Sequence, residues 1–132
     1  MIVDASALVA IVLEEKDRLL YQTAIAFAKA PLFMSAVNFV EAAIRCDKLG
    51  AEFGATLNDI MRTAEISILD VTPAHARLAR EAYRGFGKGN HEAKLNLGDC
   101  FAYALAKTRG LPLLFKGEDF IHTDVAPALG AG

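Results

Sequence analysis

The sequence predicts an α/β fold, a three-layer α/β/α sandwich around a mostly parallel sheet of four to five strands. Short apolar segments of strand length alternate with pairs of helical segments in the order β-α-α-β-α-α-β-α-α-β. Strands that alternate with helices through short loops imply right-handed crossovers and a sheet covered on both faces. A chain of 132 residues is most simply one domain, so residues 1–132 are predicted to be a single domain.

The predicted strands are short apolar segments bounded by turn-forming or capping residues. They cover residues 2–3, 31–34, 66–71 and 111–115, and the tail 121–129 is expected to add a short edge strand. A buried parallel strand is normally an almost continuous apolar run, so a carboxylate that closes one is out of character for a core. Asp4 closes the first strand in this way.

Apolar residues at helical spacing predict six helices between these strands. The helices cover residues 5–13, 19–28, a stretch after Ser35, residues 51–63, a stretch from Thr72-Pro73 to about residue 84, and residues 96–109. Ser35 and Thr72 are preferred N-cap residues, and Pro73 suits a first helical position. In the third helix, Val37, Val40 and Ile44 are expected to face the core, with Glu41 on or beside that stripe.

The composition indicates a cytoplasmic protein. No apolar run approaches the ~18 residues needed to cross a bilayer, and no signal peptide is visible. Cys46 and Cys100 lie far apart without a CxxC motif, so they are interpreted as reduced packing residues. The net charge of −2 does not indicate a nucleic-acid binder, but residues 77–94 carry five basic residues against two acidic ones. That stretch is either a solvated helix face and loop or a site that attracts a polyanion.

Four acidic positions follow predicted strands: Asp4, Glu41, Asp99 and one of Glu118 and Asp119. Each has an ordinary structural explanation. Asp4 suits an N-cap, Glu41 suits a helix rim paired with a basic residue, and Asp99 in the first turn of a helix suits the helix dipole. In an open α/β sheet, however, the carboxyl ends of the strands meet at the edge where ligands bind.

Carboxylates gathered at one edge would repel one another. A like-charged pair ~4 Å apart costs on the order of 4 kcal/mol at an effective dielectric near 20. A divalent cation relieves this repulsion, and Mg²⁺ or Mn²⁺ prefers such oxygen ligands. Zinc is disfavoured because the acids have no Cys or His companions at ligand spacing. The sequence therefore predicts a magnesium or manganese site at this edge.

Four segments in order resemble the PIN-domain ribonucleases, at the length typical of the VapC toxins of type II toxin–antitoxin systems. They are Ile2-Val3-Asp4-Ala5-Ser6, the stretch from Ser35 to Glu41, the stretch from Leu97 to Ala106 that contains Asp99, and the stretch from Leu113 to Phe120. The resemblance covers the whole chain, and its strength lies in the order of the four segments, since no one of them is specific.

The resemblance implies a Mg²⁺- or Mn²⁺-dependent endoribonuclease with a PIN-like fold that a VapB antitoxin holds inactive. Asp4 and Asp99 would bind the metal, Glu41 and Asp119 would complete the catalytic carboxylates, and Ser6 would support the site by hydrogen bonding. Many relatives carry a TxD pattern in the fourth segment, but the corresponding positions here are Phe115 and Gly117. Asp119, two residues further on, either substitutes for that acid or only supports the loop.

Further expectations concern binding and two alternative functions. Arg84, Lys88 and Lys94 are candidates for binding RNA phosphates, beside a glycine-rich loop at 85–90 that is expected to be flexible. Apolar residues on the early helices could bind an antitoxin or a second copy of the chain in a homodimer, although ordinary core positions are expected for most of them: Leu19, Leu20, Phe27, Phe53 and Leu57. The alternatives are a catalytically degenerate PIN-like binding module and, less favoured, a haloacid-dehalogenase-like phosphatase.

Overall fold

The computed structural model describes residues 1–129, which form a parallel four-stranded sheet with six helices. The elements are β1 (Ile2–Val3), α1 (Ala5–Val12), α2 (Arg18–Ala26), β2 (Leu32–Ser35), α3 (Ala36–Asp47), α4 (Ala51–Thr63), β3 (Ile66–Leu69), α5 (Pro73–Phe86), α6 (Leu97–Arg109), β4 (Leu113–Leu114) and a short 3₁₀ helix, η1 (Asp119–His122). The predicted element order is confirmed.

The sheet order β3-β2-β1-β4 places β1 in the middle of the sheet. Ile2 pairs with Phe33 of β2 on one side and with Leu113 of β4 on the other, and all pairings are parallel. The carboxyl ends of the strands therefore lie at one edge, and Asp4 follows the central strand there. This is the position at which open α/β sheets bind ligands.

Helices cover both faces of the sheet, as the three-layer prediction requires. Successive strand residues point to opposite faces, so Val3 packs with α1 and α3, whereas Ile2 packs with α5 and α6. Both side chains are fully buried. Two apolar cores, one on each face, hold the strand ends in place.

The predicted helix starts at Ser35, Thr72 and Asn96 are confirmed. The Ser35 Oγ accepts a hydrogen bond from the Val37 N–H (3.3 Å). Thr72 forms a capping box with His75, and Pro73 occupies the first position of the helix. These caps satisfy amide groups that have no partner inside a helix.

Three details of the prediction were wrong. The strand expected at 66–71 ends at Leu69, and the strand expected at 111–115 is confined to Leu113–Leu114. The tail 121–129 forms no edge strand, because it contains the end of η1 and makes one isolated bridge, between Pro127 and Leu113. The tail is also held by hydrogen bonds from Tyr103 and Lys107 of α6 to the Asp124 carboxylate.

The buried stripe of α3 also differs from the prediction. Val40 and Ile44 are each 51% exposed, and the buried residues are Asn38, Ala42 and Cys46. The small side chains at 42 and 46 allow α3 to pack closely on α1 and α4. The prediction that Val40 and Ile44 face the core was therefore wrong, because the larger apolar side chains of α3 lie outside its buried face.

The two cysteines are buried and unpaired, as predicted. Among residues 1–129, no helix has the length and apolar character needed to span a membrane.

Candidate metal centre

Asp4 is the buried carboxylate at the end of β1, with 4% of its surface exposed. Its Oδ2 accepts hydrogen bonds from the Ser6 backbone N–H (3.1 Å) and from the Ser6 hydroxyl (2.6 Å). Its Oδ1 is buried and has no hydrogen-bond partner among the described residues. Burial raises the pKa of Asp4, although the bonds from Ser6 oppose that effect. Asp4 is therefore the N-cap of α1, as one interpretation of the sequence predicted. Its Oδ1 is not used for capping and is available to a ligand.

Ser6 connects Asp4 to the loop that follows β4. The Lys116 backbone N–H donates to Ser6 Oγ at 2.9 Å, so the single hydroxyl proton of Ser6 is directed to Asp4. The Lys116 ammonium contacts Asp17 (3.0 Å) and Glu15 (3.2 Å) instead of the site carboxylates. The supporting role expected for Ser6 thus has a geometric basis.

Glu41 is half-buried on α3, one position from the inward-facing Ala42. Asn38 Nδ2 donates to Glu41 Oε1 at 2.9 Å and also to the backbone carbonyl of Gly98 in α6 at 2.9 Å. Burial raises the pKa of Glu41, the hydrogen bond from Asn38 lowers it, and the charge of Asp4 raises it further. No ion pair contains Glu41 among residues 1–129, so the alternative of a salt-bridged rim residue is not supported.

Asp99 lies in the first turn of α6 and forms a reciprocal capping box with Asn96. The Asn96 N–H donates to Asp99 Oδ2 (3.0 Å), and the Asp99 N–H donates to Asn96 Oδ1 (2.9 Å). Burial raises the pKa of Asp99 to about 7, and the charges of Asp4, Asp119 and Glu41 add to that effect against the bond from Asn96. Capping accounts for one oxygen of Asp99, and the raised pKa reflects its burial first and the neighbouring acids second.

Asp119 begins η1 and is exposed. Its charge nevertheless raises the pKa of both Asp4 and Asp99, so it lies within electrostatic reach of the site. Gly117 has a φ of 101°, a left-handed conformation that disfavours an aspartate at the acid position of a TxD pattern. Phe115, at the threonine position, packs on Phe120 instead, with ring centroids 5.1 Å apart.

The four predicted carboxylates therefore share one electrostatic environment at the carboxyl edge of the sheet. Within the described part of the chain, no three His, Cys, Asp or Glu side chains are grouped tightly enough to hold a metal ion as they stand. The residues still fit a hard divalent cation, because every potential ligand is an oxygen and Asp4 Oδ1 is buried without a partner. Burial and, to a smaller extent, neighbouring acids raise the pKa values of Asp4, Glu41 and Asp99, and a bound cation would oppose both effects.

The basic residues proposed for RNA binding are exposed. Arg84 lies on α5, and Lys88 and Lys94 lie in the segment between α5 and α6. The glycine-rich loop is tied back by hydrogen bonds from the Lys88 N–H to the Leu95 carbonyl (2.9 Å) and from the Tyr83 hydroxyl to the Lys88 carbonyl (3.2 Å). The loop therefore presents its lysine from a hydrogen-bonded turn.

Asn38, Gly98 and the backbone of Lys116 support the site, and sequence reasoning did not identify them. One signal was available for Asn38: it shares a helix face with Ala42 and Cys46, at a spacing of four residues, and is the only strongly polar residue of the three. No local signal relates Asn38 to Gly98 or Ser6 to Lys116, because these pairs are 60 and 110 residues apart.

The fold and this carboxylate pocket define a class of α/β proteins with an acidic site at the carboxyl edge of a parallel sheet. The PIN domain family matches residues 1–126. Ribonuclease VapC30 of Mycobacterium tuberculosis (strain H37Rv) is 43% identical over 127 residues, with 96% of each chain covered. Ribonuclease VapC of Mycolicibacterium smegmatis is 46% identical, covering 96% of this chain and 98% of the relative.

A solved structure agrees with the fold. The crystal structure of Mycobacterium tuberculosis VapC20, titled a Sarcin-Ricin loop cleaving toxin, superposes with a TM-score of 0.78 and covers 95% of both chains at 15% identity. The chain therefore belongs to the PIN-domain family, alongside the VapC ribonucleases.

Proposed function

We propose that this chain, a single PIN domain over residues 1–132, is a Mg²⁺- or Mn²⁺-dependent endoribonuclease and the toxin of a VapBC pair. Relatives at 43–46% identity that are named VapC ribonucleases support the activity. The observation that carries the proposed metal dependence is the buried, unpartnered Asp4 Oδ1 beside acids whose pKa values are raised. Family membership argues against the haloacid-dehalogenase-like alternative.

Asp4 and Asp99 are the proposed metal ligands, with Glu41 and Asp119 completing the acidic pocket. A bound cation supplies Lewis acidity, which lowers the pKa of water and neutralises charge at the scissile phosphate. Ser6 holds Asp4 Oδ2 and leaves Oδ1 available, and Asn96 holds one oxygen of Asp99. These bonds fix the orientation of two ligands before a cation arrives.

Arg84, Lys88 and Lys94 are the proposed contacts for the RNA backbone. All three are exposed, and Lys88 and Lys94 lie in the segment that leads into α6, which carries Asp99. They provide positive charge on a chain of net charge −2. Phosphate contacts position a nucleic acid and make binding salt-dependent. Single-stranded segments are the proposed substrates, since their splayed bases are accessible to proteins.

The proposed partners are a VapB-type antitoxin and a second copy of the chain. On α2 and at its end, Leu19, Leu20 and Phe27 are 64%, 56% and 78% exposed, which leaves apolar surface available for either. Phe53 is partly buried, and Leu57 is 1% exposed and belongs to the core, as expected for most of these positions. A cytoplasmic location, without a membrane partner, is part of the same proposal.

The test is cleavage of a single-stranded RNA panel by purified protein with Mg²⁺, with Mn²⁺ and with chelator. Asp99→Asn is compared with Asp59→Asn, the same change at an exposed helix residue outside the pocket. Metal-dependent cleavage that is lost only in Asp99→Asn is the expected result. Cleavage that persists in chelator, or in Asp99→Asn, contradicts the proposed mechanism.

One observation supports the alternative function, a catalytically degenerate PIN-like binding module. Gly117 occupies the position of an acid in many relatives, and its left-handed backbone disfavours an aspartate. Well-folded protein that neither binds Mn²⁺ in calorimetry nor cleaves any RNA would favour that function.

A further inference from the structure

Asn38 is a fully buried polar residue that joins two parts of the site, Glu41 on α3 and the first turn of α6. Its side chain is 0% exposed, and its amide nitrogen donates to both Glu41 Oε1 and the Gly98 carbonyl at 2.9 Å. Both partners are acceptors, so the orientation of the amide is determined by its contacts. The Gly98 carbonyl belongs to the residue before Asp99, so one side chain connects two of the proposed catalytic acids.

Gly98 brings the two helices into close contact at this point. A Cβ atom at position 98 would overlap all three atoms of the Glu41 carboxyl group. Glu41 therefore lies against the backbone of the first turn of α6, where a helix dipole favours negative charge. The carboxylate has little room on this side and a hydrogen-bond donor on the other.

A buried asparagine is a costly way to join two helices. Its Oδ1 has no hydrogen-bond partner among residues 1–129, and apolar side chains pack such interfaces without that penalty. Asn38 is also too deeply buried to contact RNA. Its role must then be exerted through the groups that it touches.

We propose that Asn38 is a positioning residue that holds the Glu41 carboxylate against Gly98 at the start of α6, oriented toward the proposed metal site. The inference rests on the proposed function, in which Glu41 belongs to the acidic pocket. Asn38 and Gly98 would then support Glu41 in the way that Ser6 and the Lys116 backbone support Asp4.

The test is a double-mutant cycle on Mn²⁺ affinity, measured by calorimetry on the full chain. Asn38→Leu keeps the volume of the side chain and removes its donors, and Glu41→Gln removes the charge that they hold. Asn38→Leu is expected to weaken Mn²⁺ binding about tenfold or more, the effect of losing an outer-shell partner. In the Glu41→Gln background the same change is expected to alter the affinity by less than about twofold, because the negative charge that Asn38 positions is gone.

Cys46→Ser is the matched control, since Cys46 is buried on the same stripe of α3, two turns further along. It is expected to lower thermal stability without weakening Mn²⁺ binding. If Asn38→Leu does not fold, Asn38→Ala takes its place in the cycle, since it also removes both N–H donors.

Equal effects of the Asn38 substitution in both backgrounds would overturn the inference and leave Asn38 as a structural tie between helices. An unchanged affinity in Asn38→Leu would also overturn it. If Glu41→Gln itself binds Mn²⁺ like the parent, the inference is wrong, whereas loss of binding in Asp99→Asn would still support the proposed metal centre.

Discussion

Gly98→Ala is the substitution for which the structure makes the sharpest prediction. Alanine in place of glycine normally stabilises a helix, by up to about 1 kcal/mol. At position 98 the new methyl group would overlap the Glu41 carboxyl group, well inside the 3.0 Å that real Cβ contacts respect. The overlap involves a carboxylate that is already held by Asn38, so either the side chain or the helix must move.

The expected cost follows from what Glu41 loses when it moves. A hydrogen bond to a charged group contributes about 1.5–3 kcal/mol, and its loss also leaves a buried Asn38 donor unpaired. After subtraction of the helix-propensity gain, Gly98→Ala should lower the free energy of unfolding by about 0.5–2 kcal/mol. Displacement of Glu41 from the pocket should also weaken Mn²⁺ binding.

Gly85→Ala is the matched control. Gly85 lies in α5, and a Cβ atom there would meet nothing within 4 Å. The same chemical change should therefore leave Mn²⁺ binding unchanged and slightly raise the free energy of unfolding. Guanidinium unfolding and Mn²⁺ calorimetry on both variants provide the measurements.

A third variant separates steric overlap from other effects. Glu41→Ala removes the overlapping group, so adding Gly98→Ala to Glu41→Ala should cause no further loss of stability. The reasoning is refuted if Gly98→Ala is as stable as Gly85→Ala and binds Mn²⁺ like the parent.

Three further predictions concern the rest of the site and the core. Because burial and neighbouring acids raise the pKa of Asp99 from its ordinary 3.8 to about 7, the native state binds the proton more tightly than the unfolded chain. Stability of the metal-free protein should therefore fall as pH rises from about 4 to 7; melts in chelator should show this, and Asp99→Asn should flatten it. Ser6→Ala should weaken Mn²⁺ binding about tenfold, since Asp4 loses a donor and the Lys116 amide loses its acceptor; calorimetry with unchanged affinity would count against this role. Leu57→Ala should lower the free energy of unfolding by about 2–5 kcal/mol, because Leu57 is 1% exposed in the core, and denaturant titration measures that loss.

Several features could be predicted because their causes are local. Thr72-Pro73 begins a helix wherever it occurs in such a context, and Ser35 and Asn96 cap the helices that follow them. The position of Asp4 directly after an apolar strand was sufficient to place it at the carboxyl edge of the sheet. The order of the elements followed from the alternation of strand-length and helix-length apolar segments.

Other features depend on which element packs against which. Val40 and Ile44 are more apolar than Ala42 and Cys46, so the sequence favoured the wrong face of α3. The inner face is the one with small side chains, because α3 packs closely on α1 and α4. The tail 121–129 likewise had strand-compatible residues but found only one bridging partner.

The sequence by itself determined the fold class, the helix caps and the identity of the acidic residues, because these depend on local periodicity and on side-chain chemistry. Only the tertiary structure decided how the acids are held. The bond between Asn38 and Gly98 spans 60 residues, and the bond between Lys116 and Ser6 spans 110. Such contacts exist only once the parallel strands have brought their carboxyl ends together, since no local pattern specifies a partner at that separation.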